Sequence, residues 1–332
     1  MSDDVLAGNL SSVSSVYQAA NGEFFLTGGG HNVLEYAQGK LKPSDESIAN
    51  LKENLAFRRR RATELGVPFV HIVAPEKYRV MPDGFPVQNP SSLAEAYRAG
   101  GCDFIYPVEE LKDHDGKGRS YYYADTHWAP HGLRRITTLV AKAAGLPPEL
   151  VKRGDDQITA DIRPAEAPYF GDLGKKFNPP FGEEADILKP SHPTGIFDNG
   201  LAHLVDNPVN DGRMIVLISH CTFAADKYLL IFGDSYLHHC LPYFAYFFKR
   251  VIYCRTRFWH EEMVTSVQPD MIVTEMAERY LSFVNPDSVA PPFLTIPWLL
   301  QRPTNPTPDA AKVIARVLSG RRKAAVELFP PK

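Results

Sequence analysis

With 332 residues and a formal net charge of −3, the chain can bury a large core and has no surplus of positive charge to draw nucleic acid. No run of about 18 apolar residues exists to span a bilayer, and 44% apolar with 23% charged residues is ordinary globular composition. Cys102, Cys221, Cys240 and Cys254 show no Cys-x-x-Cys spacing, so four buried free thiols are expected, with neither a metal site nor a redox pair.

The stretch Met1 to Ala20 carries Asp3, Asp4 and many serines. It lacks the positively charged start, the apolar stretch of about 7–15 residues and the small-residue cleavage site of a secretory signal, so the expected location is cytoplasmic. Residues 44 to 65 form the clearest predicted helix, capped by Ser44 or Asp45, with Ile48, Leu51, Leu55, Ala62 and Leu65 at helical spacing. Arg58 to Arg61 spread around its axis, which predicts a solvated face. Gly66 ends the helix and Phe69 to Ala74 reads as a strand, beginning an α/β rhythm. Glu76 and Lys77 follow at that strand's carboxyl end. Lys77 there either faces a substrate or pairs with Glu76 to stiffen the loop.

The rhythm continues through a helix at 91–99, a short strand at 103–106 and an amphipathic helix at 129–144, with Pro130 suiting its first turn. Composition then shifts to Pro, Gly, Asp and Asn between Pro147 and Tyr228. An irregular insertion is predicted there, with strand-like pieces such as 214–218, able to roof a site. His192, His203 and His220 lack metal-ligand spacing and read as structural. Beyond it come a buried strand at 228–232, a helix at 236–248, a strand at 250–254, a helix at 259–267 and a strand at 271–274. From Val284 onward nine of 49 residues are proline, which suits a tail over the domain surface. The tail's helix at 309–318 has apolar Val313, Ile314, Val317 and Leu318 beside Arg321, Arg322 and Lys323. That face suits packing on the core; membrane-surface contact is the alternative.

Two stretches carry chemistry. Tyr228-Leu229-Leu230-Ile231-Phe232 closes on Gly233-Asp234-Ser235, placing Ser235 at the carboxyl end of a strand, the edge where open α/β sheets bind ligands. Its hydroxyl is either a nucleophile or a plain helix cap. Upstream, Asp125-Thr126-His127-Trp128 offers a base and a carboxylate to orient it, the pair a serine needs to become nucleophilic.

Together these motifs resemble the SGNH-hydrolase-like O-acetyltransferases of the bacterial alginate acetylation machinery. Asn21-Gly22-Glu23-Phe24-Phe25-Leu26, Val73-Ala74-Pro75-Glu76-Lys77, Gly171-Asp172-Leu173-Gly174 and Glu278-Arg279 are similar to further elements of that family, so the resemblance covers roughly residues 20 to 285. It implies an SGNH-hydrolase-like, flavodoxin-like three-layer α/β/α sandwich. The catalytic motifs stand in a rearranged order, since Asp125 and His127 precede the serine. The implied domain spans 21–283, between a tail at 1–20 and the extension at 284–332, with the insertion at about 147–227.

The implied reaction is acetyl transfer. Ser235 is the expected nucleophile, His127 its general base and Asp125 the group that fixes the imidazole. Ser235 and Tyr236 N–H groups are expected to hold the oxyanion, and Asp234, Lys77 and Arg279 stand as substrate-side candidates. Arg279 is expected to lock Glu275 or another acidic neighbour. No bound cofactor is expected, only an acetyl donor such as acetyl-CoA or another acyl carrier, and the acceptor is a carbohydrate hydroxyl. A carbohydrate acetylesterase and a non-catalytic carbohydrate-binding relic are the alternatives.

Overall fold

The computed structural model describes residues 15–202 and 211–320. Ten strands are present among them: β1 Val16–Gln18, β2 Phe24–Leu26, β3 Phe69–Ala74, β4 Ile162–Pro164, β5 Asp186–Leu188, β6 Thr194–Asp198, β7 Met214–Ser219, β8 Ala225–Gly233, β9 Phe248–Arg255 and β10 Met271–Ala277. Six build the central sheet in the order β3-β10-β8-β9-β7-β6. β3, β10, β8 and β9 are mutually parallel, β7 runs antiparallel to β9, and β6 antiparallel to β7. Two small antiparallel pairs, β1-β2 and β4-β5, lie outside it.

Side chains alternate between the two faces of a strand, so a strand covered on both sides is apolar throughout. β8 is such a strand: Leu229 and Ile231 join one core cluster, Leu230 and Phe232 the other. On the first face lie α3 (Pro130–Ala143) and α4 (Pro148–Asp161), with Leu133, Ile136, Val140, Val151 and Ile158 buried. The same face receives α5 (Ser235–His239) through Tyr236 and Leu237. On the second lie α6 (Glu261–Val267) and α7 (Pro308–Leu318), while α1 (Asp45–Leu65) and α2 (Leu93–Ala99) close over β3 and β10 through Leu51, Leu55, Leu93 and Tyr97. The layers are helix, sheet, helix.

α1 begins where expected, with Ser44 accepting the Ser47 N–H at 3.1 Å, and ends at Gly66, whose φ of 68° is the left-handed conformation a glycine C-cap adopts. Arg60 stays exposed as expected, but Arg58 does not. Arg58 is buried: Nε and Nη2 donate to Asp287 at 2.8 and 2.6 Å, and Nη2 to the Arg257 carbonyl at 3.1 Å. The arginine thereby ties the proline-rich extension to the domain. Arg61 reaches Glu261 at 2.5 Å.

Other boundaries are corrected. The 236–248 helix is two short turns, Ser235–His239 and Leu241–Phe244, because Pro242 cannot continue the hydrogen-bond ladder, and Phe248 already opens β9. The stretch read as an irregular insertion contributes α4 and two strands of the central sheet. α4 is concealed by its polar Arg153-Gly154-Asp155-Asp156 run, where Gly154 admits Phe247; a Cβ there would meet its ring at 2.3 Å. β10 runs three residues further than predicted, so Glu275 lies within the sheet. β1 precedes residue 21 and pairs with β2, so the fold begins before the predicted domain start.

Val317 of α7 is buried in the second cluster and Val313, Ile314 and Leu318 pack against it, so this face is spent on the core. No helix among the described residues is long and apolar enough to cross a membrane. Most of the 1–20 tail, His203 and the basic Arg321-Arg322-Lys323 lie outside the described residues. The four cysteines are buried and free.

Candidate active site

The carboxyl end of β8 delivers Ser235. Asp234 caps α5: Oδ1 accepts the Tyr236 N–H at 2.9 Å, Oδ2 accepts the Ala277 N–H at 2.7 Å, and the Asp234 carbonyl accepts the Tyr253 hydroxyl at 2.7 Å. Its side chain therefore braces the turn from behind and does not face a substrate. The Tyr236 N–H, expected at the oxyanion, is spent on Asp234. The Tyr236 hydroxyl donates to the Thr126 carbonyl at 2.7 Å, joining the serine's helix to the segment carrying the histidine.

His127 Nε2 lies 2.8 Å from Ser235 Oγ, and Nδ1 lies 2.8 Å from Asp125 Oδ1. With Nδ1 as the protonated nitrogen, Nε2 is free to accept from the serine. Asp125 Oδ1 also accepts the His127 N–H at 2.8 Å, while Oδ2 accepts the Tyr169 hydroxyl at 2.6 Å and the Asp172 N–H at 3.1 Å. Burial raises the affinity of Asp125 for its proton, but the hydrogen bond and charge of His127 outweigh burial and hold the carboxyl well below the usual carboxylate range. The His127 ring is half-buried, with the His239 ring 4.7 Å away. Trp128 is buried edge-on to Tyr236 and donates to the Tyr121 hydroxyl at 2.9 Å, so it packs beneath the site.

The turn holding Asp125 is clamped on every side. Glu183 accepts the N–H groups of Tyr123 and Ala124, both at 2.7 Å. Asp172 takes the Thr126 N–H at 2.8 Å and its hydroxyl at 2.6 Å. The Ala124 carbonyl accepts from Leu173 and Gly174, and a Cβ on Gly171 would lie 2.1 Å from that carbonyl oxygen. The Gly-Asp-Leu element is thus the lock of the Asp125 turn, a role its sequence alone did not show. Tyr169 was missed entirely; nothing marks it in a stretch read as loop.

Lys77 departs from expectation. It is buried, with Nζ donating to the carbonyls of Phe24 and Tyr123 at 3.0 and 2.7 Å and pairing with Glu23 at 2.7 Å, while Arg119 also pairs with Glu23. Burial lowers it to about 8 against the pull of Glu23. It neither faces a substrate nor pairs with Glu76, and instead stitches β2 to the segment before Asp125. Arg279 pairs with Glu76 at 2.9 Å and lies over the Tyr236 ring, leaving Glu275 free of it. The groups brought together are Ser235, His127 and Asp125; Asp234, Tyr236, Lys77 and Arg279 form the frame.

Asp125, His127 and Asp172 each bring a ligand atom within 4.8 Å of the others, near enough for a cation, although His127 Nδ1 is already engaged by Asp125. Beside Tyr169, which stacks on Tyr122 at 4.1 Å, a groove of about 560 Å³ runs between residues 164–168 and 184–186.

No family model matches the chain. Among solved structures it is similar to PatB1 of Bacillus cereus, with a TM-score of 0.53 and 14% identity over 72% of this chain and 92% of that one. It is also similar to a DHHW family protein of Eubacterium siraeum, with a TM-score of 0.51 and 16% identity over 81% and 92%. The chain therefore shares the fold of these two proteins, a central, mostly parallel sheet between layers of helices. In sequence it is similar to the probable alginate O-acetylase AlgJ of Azotobacter vinelandii, 27% identical over 161 residues. That match spans 43% of this chain and 39% of the relative's length.

Proposed function

We propose that the chain is a serine-dependent O-acetyltransferase that carries an acetyl group through a seryl acyl-enzyme to a carbohydrate hydroxyl. The observation that carries this reading is the continuous line of hydrogen bonds from Ser235 Oγ through His127 to Asp125. A serine so placed gives its proton to Nε2 as Oγ attacks the acetyl carbonyl; Nε2 then returns that proton to the leaving group. In the second half-reaction a sugar hydroxyl gives its proton to Nε2 and attacks the acyl-enzyme carbonyl, and Nε2 returns that proton to Ser235 Oγ as the ester bond to serine breaks. Asp125 keeps Nδ1 protonated and compensates the imidazolium. We assign the Ser235 N–H to the oxyanion, the Tyr236 N–H being already taken by Asp234.

Similarity to a probable alginate O-acetylase supports acetyl transfer and a carbohydrate acceptor. The donor is a soluble thioester or another acyl carrier. Incubation with a chromogenic acetyl ester, with and without mono- and oligosaccharides, tests the reading. Acetylated sugar by mass spectrometry, formed at the expense of acetate, is the expected result; hydrolysis indifferent to every acceptor identifies an esterase, and no turnover of any ester a binding relic.

A further inference from the structure

Directly under the Gly233-Asp234-Ser235 turn lies a carboxyl group that the proposed chemistry does not use. Glu275 is 1% exposed, in the middle of the sheet. Its Oε2 accepts the Asp234 N–H at 3.0 Å, and its Oε1 is buried with no hydrogen-bond partner. A Cβ on Gly233 would sit 2.9 Å from Oε2, so glycine before Asp234 is what lets this carboxyl reach the turn. Asp234 spends both carboxylate oxygens on other N–H groups, which leaves two carboxyls side by side in the interior.

Titratable groups act on Glu275 from several elements, while the directly paired strand β3 sets apolar Ile72 opposite it. Asp234 faces it from the end of β8, Tyr253 and Arg255 from β9, and Cys240 from just after α5. Arg279, close in sequence, is taken by Glu76. An ionised carboxylate with one N–H donor and no ion pair is costly in such a place, whereas an uncharged acid accepts that N–H through its carbonyl oxygen and costs less than the buried charge. Burial first, then the charge of Asp234, push Glu275 well above the ordinary glutamate range.

We propose that Glu275 is a positioning residue for the nucleophile: an uncharged acid that fixes the Asp234 N–H, and through it the direction of Ser235 Oγ toward His127. Ionisation of Glu275 places a second negative charge against Asp234, moves the turn and separates Oγ from Nε2. Reactivity of the serine therefore declines reversibly on the alkaline side through Glu275. The inference rests on the reading of Ser235 as nucleophile.

The test is the rate at which phenylmethylsulfonyl fluoride labels Ser235 in the full chain, followed by intact mass and peptide mapping across pH. Wild type is expected to show a reversible alkaline decline. Glu275→Gln keeps an accepting oxygen without a charge and is expected to lose that decline. Glu275→Ala is expected to label at least about tenfold more slowly at every pH, the scale of a misplaced reacting group, with native near-ultraviolet circular dichroism. If Glu275→Ala does not fold, the Glu275→Gln profile decides alone. Wild-type labelling without an alkaline decline, a Glu275→Gln profile identical to wild type, or a folded Glu275→Ala that labels normally overturns the proposal while leaving the nucleophile intact. A wild type never labelled at Ser235 overturns both readings.

Discussion

His127 Nε2 and Ser235 Oγ stand 2.8 Å apart although 108 positions separate them in the chain. The contact is fixed from both sides, by Asp234 under the serine and by Asp125, Asp172 and Glu183 around the histidine's turn. Residues that act as one unit are not additive when removed. Ser235→Ala and His127→Ala are each expected to lower acetyl-ester turnover by about 10⁴-fold or more, with the double variant little worse than either. Steady-state kinetics of the three folded proteins checks this.

Gly171 tests the lock on Asp125. Its absent Cβ would overlap the Ala124 carbonyl oxygen at 2.1 Å and approach Asp125 Cβ at 2.7 Å, so Gly171→Ala must displace the turn. A shift of this kind costs about 10²-fold in turnover without touching a reacting group. The variant is expected to stay folded by circular dichroism while kcat falls.

Lys77 tests the opposite case, a charged residue whose importance is structural. Lys77→Met breaks the buried ion pair with Glu23 and removes one donor each from the Phe24 and Tyr123 carbonyls, and is expected to cost about 3–5 kcal/mol of stability. Urea unfolding measures the loss, and KM of the folded fraction is expected to stay at the wild-type value.

Glu275 makes stability depend on pH with a defined sign. Its folded-state pKa is raised by burial and Asp234, so the unfolded chain releases this proton first. The stability it contributes is fully present below the unfolded value of about 4.3 and is lost as pH rises toward the folded value. Glu275→Gln removes that dependence. Its melting temperature relative to wild type is expected to be higher at about pH 8 than at about pH 4.

The serine's strand, α1 and the α/β rhythm were legible because burial on both faces of a parallel sheet writes an unbroken apolar run, and because Ser44 and Gly66 mark helix ends. Ser235, Asp125 and His127 were legible as a pair of motifs. What surrounds them was not. Tyr169 and the α4 helix sit in a polar, glycine-containing stretch whose order comes from tertiary contacts, with Gly154 against Phe247 and Tyr169 on Asp125. Arg58 was read onto a solvated face, and Lys77 toward a substrate or Glu76, because sequence shows a charge but not the distant Asp287 or the carbonyls and Glu23 that satisfy it. Glu275 was assigned past the strand end, and one more turn of the pleat carries it under the nucleophile.

The most direct test of the account is to mix the protein with an acetyl donor ester, quench in acid and measure intact mass, then map the modified peptide. The account predicts one added acetyl group per chain, located on Ser235, absent in Ser235→Ala and discharged on adding a sugar acceptor. Turnover with no acetyl-enzyme, or an acetyl group on another residue that persists in Ser235→Ala, would contradict it.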